Sequence, residues 1–471
     1  MSEQSSRSGL DPQVVRIAMA IIAGGIAVIF DTTIVSVALH QLAASLDTTV
    51  STIQWVSTGY LLAMFLAIPA TGWLQARIGG KPLWLIALGV FLLGSVLCAC
   101  AWDAPSLIGF RVLQGLGGGV MMPLMSTLIM QAAQGQALGR LMAVIGLPAA
   151  LGPILGPTLG GVILNWLDWR WLFLVNVPIC AVGITLALRI LPDDRPTPGH
   201  RAALDVVGLL LVSPGVLGVI YGLSNVSKSG GFDRTDVWLP GVIGVVLIAA
   251  FVLWAVRRGS RALIDVRLFR HRPLAISGLL MFLMGFTLYG AMLLLPLFWQ
   301  ELRGHDALGA GLLLIPQGVG NLLSRTLGGR ATDEIGPRAV AIAGFAIVAL
   351  ATVPFAFADA DTSTVWLLAV LVVRGVGLGL VLTPLMTVAY VGLERSEVPD
   401  ASIITRIAQQ LGGSFGTAVL AVILESAAKG GPLATAFDHA FWWATAFTLA
   451  ATALAVVLPG RPAREPVAAR A

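Results

Sequence analysis

The sequence predicts an all-α integral membrane protein of fourteen transmembrane helices, built as two six-helix halves with two additional helices between them. Three observations carry this: an apolar composition, a lopsided placement of basic residues between successive spans, and an internal repeat. Hydrophobic residues make up 57% of the 471 residues and charged residues 11%, with a mean hydropathy of +0.89. Soluble globular chains run at roughly 45–50% apolar and about 25% charged. A water-soluble fold has no means of hiding this much apolar surface behind so few charges, so the bilayer is the solvent.

A spanning helix needs about 20 mostly apolar residues. The first covers 15–39, too long for the apolar stretch of a signal peptide and without an Ala-x-Ala cleavage site. The second and third, 52–73 and 82–101, flank the turn Ile78-Gly79-Gly80-Lys81-Pro82. Spans at 105–131, 138–163 and 171–191 complete the first half. Two more, 204–224 and 237–256, precede the second half at 274–299, 307–327, 338–358, 363–391, 400–424 and 440–459. The expected domains are 1–200, 201–262 and 263–471. No soluble domain fits between them, so function lies within the helix bundle.

Basic residues orient the chain. Of the 29 Lys and Arg, with Arg16, Arg189 and Arg325 at span ends assigned to the side they adjoin, five fall on one side (Arg170, Lys228, Arg234, Arg303 and Lys429) and three deep inside spans (Arg111, Arg374 and Arg406). The other 21 fall on the opposite side, which is then cytoplasmic and holds both termini. The Arg-rich stretch from Arg257 to Arg272 becomes a cytoplasmic loop resting on anionic lipid headgroups, and no nucleic-acid partner is expected. Arginine far outnumbers lysine, since Lys81, Lys228 and Lys429 are the only lysines. That bias points to a GC-rich bacterium and its cytoplasmic membrane.

Cys98, Cys100 and Cys180 lie in apolar runs and read as small buried hydrophobes. The five histidines, His40, His200, His271, His305 and His439, fall at or near span ends. No metal site, cofactor or catalytic constellation is expected, and the reading is not an enzyme.

The repeat is explicit. Gly72-Trp-Leu-Gln-Ala-Arg-Ile-Gly79-Gly-Lys81 returns as Gly329-Arg-Ala-Thr-Asp-Glu-Ile-Gly336-Pro-Arg338, 257 residues later. Gly115-x-Gly117-x-Gly119 returns as Gly375-x-Gly377-x-Gly379 at 260, and Pro123-Leu124-Met125 as Pro384-Leu385-Met386 at 261. Such spacing describes two parallel halves, a common plan among transporters.

Seven motifs in order then resemble the major facilitator superfamily, and within it the fourteen-span drug:proton antiporters. They are Phe30-Asp31-Thr32-Thr33-Ile34-Val35-Ser36-Val37-Ala38-Leu39-His40, Trp55-Val56-Ser57-Thr58-Gly59-Tyr60, and the loop from Gly72 to Lys81. Next come Arg111-Val112-Leu113-Gln114-Gly115, Gly152-Pro153-Ile154-Leu155-Gly156-Pro157-Thr158-Leu159-Gly160-Gly161, Trp169-Arg170-Trp171-Leu172-Phe173-Leu174-Val175-Asn176-Val177-Pro178, and Gln410-Leu411-Gly412-Gly413-Ser414-Phe415-Gly416. The resemblance implies a proton gradient as energy source and no cofactor. It places Arg111 in a proton-coupling motif and the Gly152–Gly161 stretch in an antiporter motif. Gly72, Arg77, Gly79, Lys81, Asp333, Gly336 and Arg338 become gating-loop residues. Two departures stand out: His40 replaces the family's proline, and Ala76 replaces the acid of the first loop, leaving gating to lean on Asp333 with Arg330 and Arg338.

A charge at bilayer depth costs at least about 2.5–3.5 kcal/mol on insertion scales, so Asp31 needs a purpose. A carboxyl that passes between a wet cavity and a dry closed state can load and release a proton. Thr32 and Thr33 are its expected hydrogen-bond partners, Arg111 its counter-charge, and Gln114, one turn from Arg111, a member of the same network. Gly152, Gly156 and Gly160 form a smooth helix face that Pro153 and Pro157 bend, which suits a seam between halves. Cavity candidates are Trp55, Tyr60, Phe65, Phe286, Tyr289, Gln317, Asn321, Arg374 and Gln409. With a single acid at mid-membrane depth, the substrate expected is a monocationic, zwitterionic or neutral small lipophilic compound. The leading reading is a monomeric exporter of drugs or antibiotics in exchange for protons. An exporter of one endogenous metabolite, siderophore or lipid fits the same machinery, and a non-transporting sensor would want a soluble domain that the spans leave no room for.

Overall fold

Long helices follow one another through nearly all of the computed structural model, which describes residues 12–48, 50–133, 159–160, 162–193, 205–229, 234–305, 307–394 and 397–460. They are α1 (Pro12–Ile34), α2 (Val50–Ala67), α3 (Gly80–Ala99), α4 (Ala104–Ala133), α5 (Asn176–Ile190), α6 (Val206–Ser229) and α7 (Thr235–Arg258). Then come α8 (Arg272–Leu297), α9 (Ile315–Glu334), α10 (Pro337–Thr352), α11 (Thr364–Ala389), α12 (Val398–Ala428) and α13 (Leu433–Ala455). No strand occurs among the described residues.

Eleven of the described helices are long and apolar enough to cross a membrane. The expected fifth span lies almost wholly outside the described residues, with only its tail helical. The tenth and fourteenth are helical as α9 and α13 but fall outside the eleven. Their polarity explains this: α9 carries Gln317, Asn321, Arg325 and Arg330, and α13 carries Asp438 and His439. The first span is also shorter than expected. It ends at Ile34 and tightens into a 3₁₀ turn over Val35–Ala38. A run of β-branched residues crowds the last turn of α1, and the Thr32 hydroxyl donates back to the Ile29 carbonyl at 2.7 Å.

Helix pairing repeats along the chain. α4 packs on α2 and α3, while α11 packs on α9 and α10. The glycine motifs make these approaches possible. A Cβ on Gly115 would strike the Tyr60 carbonyl, and one on Gly375 the Gln317 carbonyl. Gly119 meets Met64 in the same way that Gly379 meets Asn321. Small residues thus let backbones touch where lipid offers no hydrophobic drive for helix association. At the two repeated loops, Gly79 (φ +90°) and Gly336 (φ +113°) turn the chain in the left-handed region, which glycine alone enters cheaply.

α6 and α7 pack on each other, and α6 lies against both α2 and α12. The Ser213 hydroxyl donates to the Leu66 carbonyl of α2 at 3.2 Å. α7 is peripheral and turns Trp238, Val245, Val246 and Leu253 outward, as a lipid-facing helix should. Asp205 anchors this pair. Its buried carboxylate accepts from Gly208 N (3.0 Å), from Trp254 Nε1 at the end of α7 (3.0 Å) and from Leu263 N in the following loop (3.1 Å). Asp205→Ala should therefore lower stability by roughly 2–5 kcal/mol, since each buried donor left unmet costs about 1–3 kcal/mol. Thermal denaturation of the purified protein would read it, with Asp205→Asn expected to lose about half as much.

One apolar cluster bridges the earlier and later helices at one end, and none of the clusters at the other end does so. At the end bearing the Gly72–Lys81 loop, one apolar cluster joins Ile17, Trp84, Met130 and Leu191 to Tyr390, Val398, Ile403 and Ile404. At the opposite end one cluster holds Ile34, Ile53, Leu107 and Phe173, and a separate one holds Phe298, Phe355, Leu371 and Phe437. No described residue belongs to both of the latter. The molecule is therefore closed at the basic end. At the far end Arg303 ties its loop by donating to the Asp359 and Thr362 carbonyls (2.8 and 2.6 Å). Hydrogen bonding from Thr362 holds the exposed Asp359 carboxyl below its ordinary range.

Candidate functional site

Asp31, in the last turn of α1, is wholly buried among donors. Arg111 NH1 from α4 donates to Oδ2 at 2.5 Å, and Gln114 Nε2, one turn on, donates to Oδ1 at 2.9 Å. Asn176 Nδ2, the first residue of α5, reaches Oδ1 at 3.1 Å. Ser95 of α3 receives Gln114 Nε2 at 2.6 Å and Asn176 Nδ2 at 3.2 Å, closing the ring. Arg111 also donates to Gln114 Oε1 (2.7 Å) and to the Val56 carbonyl of α2 (3.1 Å). Its guanidinium lies 3.9 Å from the centre of the Tyr60 ring. Five helices converge on one carboxylate.

The chemistry follows from the hydrogen-bond inventory. A carboxylate only accepts, and three side chains offer it N–H groups. A proton arriving on Asp31 makes one oxygen a donor among groups that all donate, and removes the charge that holds Arg111. Protonation is thereby coupled to the packing of α1, α4 and α5. Arg111 stays charged throughout and cannot itself carry the proton.

A second buried polar group sits among the later helices. Arg374 of α11 donates through NH1 to Gln317 Oε1 of α9 (2.6 Å), through Nε to Thr352 Oγ1 of α10 (3.2 Å) and through NH2 to the Thr287 carbonyl of α8 (3.4 Å). The Thr287 hydroxyl pairs with that of Thr448 in α13 at 3.2 Å. Nearby, Arg325 donates to Asn321 (3.0 Å) and Arg406 to Gln409 (3.2 Å).

The other expected site residues are dispersed. Tyr60 joins Arg111, and Gln317 joins Arg374, but Trp55 faces Tyr221 of α6 with ring centres 6.3 Å apart. Phe65 is buried in the large basic-end core, and Phe286 stacks on Phe447 at 4.1 Å inside the later bundle. Tyr289 is half-buried beside Gly413. Thr32 does not serve Asp31, because its hydroxyl is taken by Ile29. The side chain of Thr33 lies outside the described residues, as do Gly152, Pro153, Gly156, Pro157 and Gly161. Gly160 is buried and helical. Cys98 and Cys180 are buried, whereas Cys100, where α3 ends, is exposed.

At the loops, Lys81 pairs with Asp193 at 2.7 Å, Arg77 stacks over Trp73 at 5.3 Å, and Arg338 is spent on the Leu458 carbonyl at 2.6 Å. Asp333 is half-buried near the end of α9. Ala76 is exposed. An acid does reach the first loop, but from α12: a Cβ on Gly72 would lie 3.3 Å from Asp400 Oδ1. Asp400 Oδ2 accepts from Asp265 N (3.0 Å), and two residues on, Ser402 donates to the Pro123 carbonyl of α4 (3.0 Å). Ser95, Thr287, Thr352 and Asp400 escaped the sequence reading, and Asn176 entered it only as part of the Trp169–Pro178 motif, with no role assigned.

A family model described as Major Facilitator Superfamily matches residues 21–417. The "Multidrug resistance protein B homolog" of Mycobacterium tuberculosis (strain ATCC 25618 / H37Rv) is 36% identical over 425 residues, covering 90% of this chain and 78% of that one. The lincomycin resistance protein LmrB of Bacillus subtilis (strain 168) is 28% identical over 428 residues, covering 90% and 88%. Among solved structures, the proton:xylose symporter XylE bound to 6-bromo-6-deoxy-D-glucose superposes with a TM-score of 0.68 at 15% identity, covering 96% of this chain and 97% of that one.

Proposed function

The chain belongs to the major facilitator superfamily, a family of multi-pass membrane transporters and not of enzymes, and from that premise we propose that it exports lipophilic drugs or antibiotics in exchange for protons. The buried Asp31–Arg111–Gln114 network is the observation that carries the coupling. The names of the mycobacterial and Bacillus relatives support drugs or antibiotics as cargo. Alternating access is supported by the core itself, bridged between the earlier and later helices at one end and separate at the other.

In this reading the protein is a fourteen-span antiporter with six-helix halves at 1–200 and 263–471 and a two-helix insertion at 201–262. It works as a monomer in the bacterial cytoplasmic membrane, with both termini and the Gly72–Lys81 loop cytoplasmic. The conformation described then faces outward, and its partners are small lipophilic substrates, protons and membrane lipids, with no cofactor. Each unit of pH difference supplies about 1.36 kcal/mol, and 100 mV supplies about 2.3 kcal/mol for each charge moved.

The test is transport into inverted vesicles reconstituted with purified protein. Lipophilic antibiotics should accumulate only when the lumen is made acidic, and should leak back when the gradient is collapsed. Accumulation indifferent to the imposed gradient would overturn proton coupling.

A further inference from the structure

We propose that Arg374 is the docking point for an acidic group on the substrate, so that the transported compounds are lipophilic monoanions or zwitterions with an exposed carboxylate or equivalent acid. The inference rests on the transport reading above and gives it a substrate class.

The two buried polar groups occupy corresponding places in the repeat. Asp31 corresponds to Thr287 at an offset of 256, Ser95 to Thr352 at 257 and Gln114 to Arg374 at 260, within a residue of the 257–261 that relates the loop and glycine motifs. Backbone packing confirms the register. Gly115 abuts the Tyr60 carbonyl as Gly375 abuts that of Gln317, so Tyr60 and Gln317 also correspond. In the earlier cradle, Gln114 bonds to Ser95 and to the Asp31 carboxylate. In the later one, Arg374 bonds to Thr352 and to a backbone oxygen of Thr287. The first cradle holds its own carboxylate. The second has gained a guanidinium and lost the carboxylate.

Arg374 is only 2% exposed, and no carboxylate among the described residues lies within 4.0 Å of it. Its partners are neutral: an amide, a hydroxyl and a carbonyl. No acid on its own helix can swing in, because α11 has none, and the described acids from α8 onward (Glu301, Asp333, Glu334, Asp359, Asp361, Glu394, Glu397, Asp400, Glu425, Asp438) cluster toward helix ends. Arg325 and Arg406 add positive charge on α9 and α12, both also bonded to amides. Asp31 is already committed to Arg111. An unpaired buried charge is costly, and a guanidinium matches a carboxylate in a planar two-point contact. A guanidinium has five N–H donors, three of which are used here. Gln317, half-buried, holds by a neutral oxygen the place a carboxylate takes more strongly. The monocationic cargo expected from the sequence is therefore disfavoured, since it would approach a net positive lining.

The experiment uses anthracene carrying a carboxylate, a carboxamide or a methyltrimethylammonium head group. Binding to the purified full chain, with no gradient present, should favour the carboxylate by about ten-fold over the carboxamide, the value of a hydrogen-bonded charge contact. Arg374→Gln should erase that preference, weakening carboxylate binding far more than carboxamide binding. Its thermal midpoint without ligand should not fall, because the variant removes an uncompensated charge, whereas loss of a merely structural arginine would lower it. Arg374→Lys, which keeps the charge without the fork, should retain part of the preference and carries the test if the glutamine variant does not fold. In vesicles, one-for-one exchange of a monoanion for a proton moves two charges in the same electrical sense, so an imposed potential should drive the carboxylate harder than the carboxamide. Equal binding of the three head groups, including binding of none, or preference for the cation, overturns the proposal. Carboxylate-selective binding without gradient-driven flux would instead overturn proton coupling and leave Arg374 its role.

Discussion

Asp31→Asn should reduce gradient-driven accumulation to the rate of protein-free vesicles, while the variant still inserts and still exchanges labelled for unlabelled substrate down its own gradient. Asparagine has nearly the shape of a protonated aspartate but gives up no proton. It also brings two N–H donors to a position where Arg111, Gln114 and Asn176 all donate. Arg111 is then left buried without its counter-charge, a condition that costs about 3–5 kcal/mol when one partner of a buried pair is removed. A marked fall in thermal midpoint should accompany the loss of uphill transport. Uphill export at the normal rate by Asp31→Asn would remove Asp31 from the coupling step.

The second expectation separates those two effects. Arg111→Gln alone should destabilise about as much as Asp31→Asn, since it strands the carboxylate instead of the guanidinium. In the double variant both charges are gone, and amides can satisfy one another in the space left by Tyr60, Ser95 and Asn176. Stability should return to within about 1–2 kcal/mol of the parent, because replacing both members of a buried pair is often close to neutral. Uphill transport should not return. A coupling energy of several kcal/mol in the thermal cycle, with no coupling in the transport cycle, distinguishes an ion pair needed for folding from a carboxyl needed for exchange. Recovery of gradient-driven flux in the double variant would place the proton elsewhere.

Much of the fold was written in hydropathy, because a long apolar run has few alternatives to a membrane helix. Hydropathy is weakest where a helix buries polar residues: the span expected at 307–327 is helical as α9, but Gln317, Asn321 and Arg325 leave it outside the eleven apolar helices. Asp31, Arg111 and Gln114 were legible since charge in an apolar run is costly. Ser95 and Asn176 were not, because small polar residues in such runs cost little and mark nothing by themselves. The signal for Ser95 lay in the repeat, where Thr352 is its counterpart, and that for Asn176 in the Trp169–Pro178 motif. Asp400 and Asp205 were hidden for another reason. Each sits near a helix start, where acids are ordinary, and only tertiary packing shows Asp400 against Gly72 and Asp205 beneath Trp254. The aromatic candidates divided because an aromatic side chain serves a helix interface as readily as a cavity, and Phe286 went to the former.

The seating of α6 against both α2 and α12 makes the carrier handed. A molecule dissolved in the lipid meets α6 before it can reach the cleft between α2 and α12, so that flank is a wall. In the alternating cycle proposed above, α2 and α12 each move against α6. In that cycle, the seam where Leu223 of α6 and Val237 of α7 pack with Ala418 and Val422 of α12 is then a surface whose smoothness sets the rate of the turn without touching either substrate or proton.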